Sequence, residues 1–117
     1  MLDRVKLEHF RNLVSLSAAD GKIQEAERNS LIRIAESLGI PSDRLQVMLA
    51  HAHEYMYLVP QNKNDSNKQL EDMIEIALVD GEFSLAERQL IKSVAVKLGF
   101  TREEAETVIS EYLKKKM

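Results

Sequence analysis

An internal duplication is the feature of this sequence that most restricts its fold. Residues 11–50 align without a gap on residues 71–110 when the chain is shifted by 60 positions, and eight of the aligned residues are identical. The four glycines fall into two matched pairs, Gly21 with Gly81 and Gly39 with Gly99. Glycine often occurs where the backbone adopts a conformation that other residues avoid. Matched glycines are therefore stronger evidence for a duplication than the number of identical residues. The pattern predicts two copies of one structural unit.

Each copy has the apolar spacing of three amphipathic helices. In the first copy we expect a helix over about residues 3–19, a second helix ended by Gly39, and a third that opens at Pro41 and Ser42. The apolar face of the third helix continues through Ala52 to Met56. The second copy repeats this order, with its middle helix ended by Gly99.

Three capping boxes predict where helices of the second copy begin. A Ser or Thr followed three positions later by Glu or Gln satisfies two free backbone N–H groups at a helix start. The sequence contains this pattern at Ser66-x-x-Gln69, Ser84-x-x-Glu87 and Thr101-x-x-Glu104. The first copy has Gln24 where the second has Ser84, so Glu27 lacks a hydroxyl partner there.

The predicted fold class is all-α, with about six helices in two pseudo-symmetric three-helix repeats that pack as one bundle. Repeat one covers about residues 3–57, a polar linker about 58–65, and repeat two about 66–116. Each half is too small to bury a good core alone, so we expect residues 1–117 to form a single domain. Six Gly and Pro residues among 117 agree with long helices and few tight turns.

Composition excludes several classes of function. A net charge of −3 gives no electrostatic footprint for nucleic acid or an anionic membrane. The absence of cysteine removes disulfide scaffolds, thiolate zinc sites and cysteine nucleophiles. No apolar run is long enough to cross a bilayer, and no signal-peptide pattern is visible. We therefore expect a cytoplasmic protein without nucleic-acid binding or membrane insertion.

The repeated block that carries candidate chemistry is Asp20-Gly21 with Glu27, and again Asp80-Gly81 with Glu87. It matches the second half of an EF-hand calcium loop, with Asp at loop position 5, Gly at 6 and Glu at 12. The first half fails, since loop positions 1 and 3 are apolar in both copies. One such loop has too few oxygen ligands for calcium.

Two interpretations of these acids remain open. If the two loops face each other, Asp20, Glu27, Asp80 and Glu87 form a composite site for a divalent cation, with calcium as the first choice. Gly21 and Gly81 then allow the loops to turn. In the alternative, Asp-Gly is a turn, the glutamates cap helices, and Arg28 and Arg88 pair with the neighbouring aspartates.

No catalytic set is indicated. The three histidines lack the spacing of a zinc site, since His51 and His53 lie two apart on a predicted helix and His9 is distant. The serines fall at predicted caps and helix surfaces, and there is no glycine-rich phosphate loop. Neither catalytic residues nor a cofactor other than the candidate cation are predicted.

The paired Asp-Gly-x-[Ile/Phe]-x-x-x-Glu-Arg blocks, each followed by Leu-Gly, resemble the TerB-like (tellurite resistance) family. The N-terminal part of some membrane-anchored DnaJ-type co-chaperones carries the same block. The resemblance spans about residues 8–112. Its departures are Val79 where repeat one has Ala19, and Gln24 in place of the usual Ser or Thr.

This resemblance implies an all-helical domain of two repeats with an acidic cluster for a divalent cation, here Asp20, Glu27, Asp80 and Glu87. It also implies a non-enzymatic role in tellurite resistance or a wider stress response. The expected function is therefore cation binding or sensing by a helical module. The alternative is a metal-free scaffold that binds a protein partner.

Overall fold

The computed structural model describes residues 4–19, 23–54, 62–78 and 84–116, and these residues form helices joined by short connections. Six α-helices and one 3₁₀ turn follow in chain order: α1 Arg4–Ser17, α2 Glu25–Leu38, α3 Ser42–Ala50, the 3₁₀ turn Ala52–Glu54, α4 Lys63–Ala77, α5 Leu85–Lys97 and α6 Arg102–Lys116. The described part of the chain contains no strand. The all-α prediction is confirmed.

The middle helices of the two repeats end in the same way. Gly39 has φ +82° and Gly99 has φ +100°, the left-handed conformation that other residues adopt at a cost of about 1–2 kcal/mol. The N–H of the following residue then reaches back five positions, from Ile40 to the Ala35 carbonyl at 2.9 Å and from Phe100 to the Ala95 carbonyl at 3.0 Å. This Schellman arrangement satisfies carbonyl groups that a helix end leaves free.

Two helix ends differ from the sequence prediction. Helix α4 begins at Lys63, because the Asn62 side chain accepts a hydrogen bond from the Asp65 N–H at 2.9 Å. Asparagine is as good an N-cap as serine, so the expected start at Ser66 is wrong and Ser66 is buried inside α4. Helix α3 ends at Ala50, and the buried Ala52 belongs to the 3₁₀ turn instead.

The core is built from equivalent positions of the two repeats. On the first helix of each repeat, Phe10, Leu13 and Val14 match Leu70, Met73 and Ile74; on the second, Leu31, Ile34 and Ala35 match Ile91, Val94 and Ala95. All twelve are at most 1% exposed. Burying large apolar side chains of this kind contributes about 1.5–3 kcal/mol each. Within the described ranges, no helix has the length and apolar character needed to cross a membrane.

The helix contacts repeat with the same symmetry. Helix α1 packs against α4 and α2 packs against α5, while the α1–α5 contact has its equivalent in α2–α4. Helix α3 packs on α1 and α2, as α6 packs on α4 and α5. The two repeats therefore share one core around a pseudo-two-fold axis, and neither has a separate core of its own.

Candidate functional site

Four of the six residues predicted at the candidate cation site lie outside the described residues: Asp20, Gly21, Asp80 and Gly81. The other two, Glu27 and Glu87, occupy the third position of α2 and α5 respectively. At these positions a carboxylate faces the free N–H groups and partial positive charge of a helix N-terminus. The contacts of the two glutamates show whether these carboxylates cap helices or converge on one point.

Glu87 is a buried capping residue. Its side chain is 3% exposed, and its Oε1 accepts a hydrogen bond from the Ser84 N–H at 3.1 Å. The Glu87 N–H donates in return to Ser84 Oγ at 3.1 Å. The capping box predicted at Ser84 is confirmed. The box at Thr101 also forms, with distances of 2.9 and 3.0 Å between Thr101 and Glu104.

Glu27 is half-buried and connects the two repeats. Its Oε1 accepts from the Gln24 N–H at 3.2 Å, so this half of the capping contact forms without a hydroxyl residue at position 24. Its Oε2 accepts from Ser93 Oγ on α5 at 3.1 Å. The residue equivalent to Ser93 in repeat one is Arg33, which explains why Glu87 has no matching serine. Sequence reasoning missed the Ser93 contact.

Glu27 and Glu87 meet α5 at different positions along its length. Glu27, at the start of α2, contacts Ser93 in the second half of α5. Lys97, at the end of α5, donates to the Ser17 carbonyl at the end of α1 at 3.2 Å. Glu87 precedes Ser93 by six residues on α5, about 9 Å along the helix axis. Each carboxylate therefore stabilises its own helix start.

The described residues contain no group of three or more His, Asp or Glu side chains that could hold a metal ion. Asp20 and Asp80 are not among those residues, so the four-carboxylate cation site stays a prediction. The arrangement of Glu27 and Glu87 agrees with the capping interpretation of these two residues. A cation at both of them requires the two aspartates to supply the remaining ligands.

A second charged cluster joins α5 to α6. Glu106 forms ion pairs with Arg88 and with Lys92, whose Nζ lies 2.5 Å from Glu106 Oε2. The hydrogen bond from Lys92 outweighs the opposing effect of burial, and with the charges of Arg88 and Lys92 it lowers the pKa of Glu106. Arg88 thus has an ion-pair partner on the next helix. Its expected pairing with Asp80 lies outside the described residues and stays a prediction.

The sequence also did not lead us to an open groove between α1 and α3. We name it the α1–α3 groove, with a volume of about 590 Å³. It is lined by Arg4, Leu7, Glu8, Arg11 and Asn12 of α1 and by Arg44, Val47 and Met48 of α3. The available signal was the seven-residue spacing of Arg4 and Arg11, which places both on one face of a helix.

The groove combines cations with apolar surface. Met48 is buried, whereas Val47 is 57% exposed. The Arg4 and Arg44 side chains are exposed, and neither forms an ion pair with another residue of the described ranges. Such a surface can hold an amphipathic segment that carries acidic residues beside an apolar stripe.

Comparison with known proteins assigns the chain to no family. No family model, curated protein or solved structure matches it. The resemblance to the TerB-like family therefore depends on the repeated motif alone. Function has to be argued from the geometry of the described residues.

Proposed function

We propose that this chain is a non-enzymatic helical module that acts by binding another protein in the α1–α3 groove. The observation that carries the proposal is the exposed Val47 beside Arg4 and Arg44, two arginines without an ion pair to other described residues. Arginine and methionine are enriched where proteins bind each other, and the groove lining combines Arg4 and Arg44 with Met48. The TerB-like resemblance supports placing such a module in a stress or tellurite-resistance pathway of the cytoplasm.

Site-specific photo-crosslinking tests the groove directly. A photoreactive amino acid replaces Val47, and a matched variant carries it at Val96 of α5, which is 46% exposed and lies outside the groove lining. We expect a discrete crosslinked species from position 47 in cells that express the protein, and none from position 96. Mass spectrometry of the crosslinked species identifies the partner.

A charge-reversal variant provides the second half of this test. Arg4→Glu plus Arg44→Glu changes two exposed side chains, so the circular dichroism spectrum should match that of the unsubstituted protein. The crosslink at position 47 should be lost in this background. Equal crosslinking at positions 47 and 96, or a crosslink that survives both charge reversals, contradicts the proposal.

Cation binding is the competing function, and a calcium titration separates the two. The proposal assigns Glu27 and Glu87 to helix capping, so metal-stripped protein should show only weak amide shifts that follow ionic strength. Shifts at Gly21 and Gly81 that saturate together at one calcium ion would instead establish the composite site. In that case Asp20→Asn plus Asp80→Asn must abolish them, because both changes remove carboxylate ligands.

A further inference from the structure

The surface of repeat two that is equivalent to the α1–α3 groove has the opposite charge. Equivalent positions lie 60 residues apart in the two repeats. At the position equivalent to Glu8 the second repeat has Lys68; at those equivalent to Arg11, Asn12 and Arg44 it has Glu71, Asp72 and Glu104. Arg4 becomes the uncharged Asn64. The groove therefore carries three arginines and one glutamate, whereas the equivalent positions carry one lysine and three acids. Divergence of the repeats has made two equivalent surfaces electrostatically complementary.

We define the α4–α6 face by four of these equivalent residues, Lys68, Glu71, Asp72 and Glu104, together with the neighbouring Glu75 of α4 and Tyr112 of α6. Helices α4 and α6 pack on each other as α1 and α3 do. Tyr112 of α6 is half-buried. Burial, and then the charges of Glu75, Glu71 and Asp72 on α4, raise the pKa of Tyr112, as expected where α6 packs on α4.

Two of these acidic side chains, Asp72 and Glu104, already have partners within the chain. Asp72 Oδ2 lies 3.4 Å from His9 Nε2 on α1, and Glu104 accepts from the Thr101 N–H. Glu75 is exposed and Glu71 is half-buried, and these two are four residues apart on one side of α4. They supply negative charge to an approaching partner, next to an aromatic side chain of the type that anchors protein interfaces.

We propose that the occupant of the α1–α3 groove is the α4–α6 face of a second copy of this chain. This inference depends on the groove being a protein-binding surface, as proposed above. The arginines of one copy meet Glu71 and Glu75 of the next, and Tyr112 enters the groove beside Val47 and Met48. Complementary charge steers such an encounter and fixes its orientation.

The proposed contact is heterologous, because each copy contributes a different surface. After two copies join, one retains a free groove and the other a free face. Further copies can therefore add head-to-tail, into a ring or an open chain. A symmetric dimer made from two grooves would bring like charges together. The proposal therefore predicts growth beyond a dimer and a strong dependence on salt.

Sedimentation velocity over a range of protein concentrations tests the assembly. At low salt we expect the weight-average sedimentation coefficient to rise with concentration past the value of a dimer. At about 1 M salt, where the Debye length is about 3 Å, the rise should disappear. A groove variant, Arg4→Glu plus Arg44→Glu, and a face variant, Glu71→Lys plus Glu75→Lys, should each weaken association more than tenfold.

Mixing the two variants is the decisive step. The groove variant keeps its face and the face variant keeps its groove, and the reversed groove and the reversed face are again opposite in charge. An equimolar mixture should therefore recover the association that each variant alone has lost. A charge-matched control, Arg28→Glu plus Arg33→Glu on the exposed side of α2, should assemble like the unsubstituted chain.

Two results overturn the inference and leave different conclusions. If the chain stays monomeric while position 47 still crosslinks to a different protein, the groove binds a partner but not a second copy. If the chain associates but the two variants fail to complement each other, the contact is not head-to-tail. Loss of crosslinking at position 47 together with a monomeric chain removes the proposed function as well.

Discussion

The two glutamates at equivalent repeat positions have different surroundings. Glu87 is buried and exchanges two hydrogen bonds with Ser84 in its own helix start. Glu27 is half-buried and bonds both to the nearby Gln24 and to the distant Ser93. The first arrangement could be predicted from sequence because a capping box spans only four residues. The second could not, because it joins residues 66 positions apart.

Burial should decide how much a capping glutamate contributes to stability. Glu87→Ala removes the acceptor of the Ser84 N–H and leaves a cavity, so we expect a loss of about 1–3 kcal/mol in the free energy of unfolding. Glu104→Ala breaks the same type of box at an exposed position, where water replaces the acceptor, and should cost about 0.5–1 kcal/mol. Urea denaturation of both variants measures the difference. Equal losses would show that burial of the box is unimportant.

At the scale of elements, a helix end can be predicted from sequence where one residue type alone suits the backbone conformation at that end. Gly39 and Gly99 end α2 and α5 because their positive φ angles suit glycine alone. The start of α4 was misplaced because Asn62 and Ser66 are both good N-caps, and the sequence contains no rule that chooses between them. The pairing of α5 with α6 through Glu106 was also not predicted, since it depends on how the two helices cross.

The ion pairs of Glu106 between α5 and α6 should make the free energy of unfolding depend on pH. The pKa of Glu106 is lowered in the folded protein, so its contribution is complete above the ordinary value of 4.5 and is lost as pH falls through the lower folded value. Glu106→Gln should therefore unfold more easily at neutral pH and lose less stability on acidification. Thermal melts between pH 7 and pH 3 measure this, with Glu111→Gln on the exposed side of α6 as the control. Parallel pH curves for Glu106→Gln and the unsubstituted chain would contradict it.

At the scale of the whole molecule, polar contacts supplement the apolar core between the repeats. Glu27 accepts a hydrogen bond from Ser93, Lys97 donates one to the Ser17 carbonyl, and His9 Nε2 lies 3.4 Å from Asp72 Oδ2. Each contact joins an element of repeat one to an element of repeat two. The Cα radius of gyration of 13.2 Å is close to the value of about 13 Å expected for one domain of this length. The repeats therefore should not unfold separately.

A double-mutant cycle measures one of these contacts. Glu27→Ala removes the acceptor on α2, and the accompanying loss of the Gln24 contact cancels in the cycle; Ser93→Ala removes the donor from α5. The two changes should show a coupling energy of about 0.5–1.5 kcal/mol in urea unfolding. Glu27→Ala combined with Ser37→Ala, where the Ser37 hydroxyl bonds locally to the Arg33 carbonyl, should be additive within about 0.5 kcal/mol. Additivity in the first pair would mean that the Glu27–Ser93 bond does not hold the repeats together.

The helical class, the two repeats, the buried stripe of each middle helix and the caps at Ser84 and Thr101 can all be derived from the order of residues along the chain. These features depend on residues within about one helical turn or on a period that repeats along the chain. Three other features follow only from the packing of the helices: the contact of Glu27 with Ser93, the pairing of Arg88 with Glu106, and the groove between α1 and α3 that three arginines line. Those contacts depend on which helix faces cross and at what angle, which side-chain packing across the whole core determines.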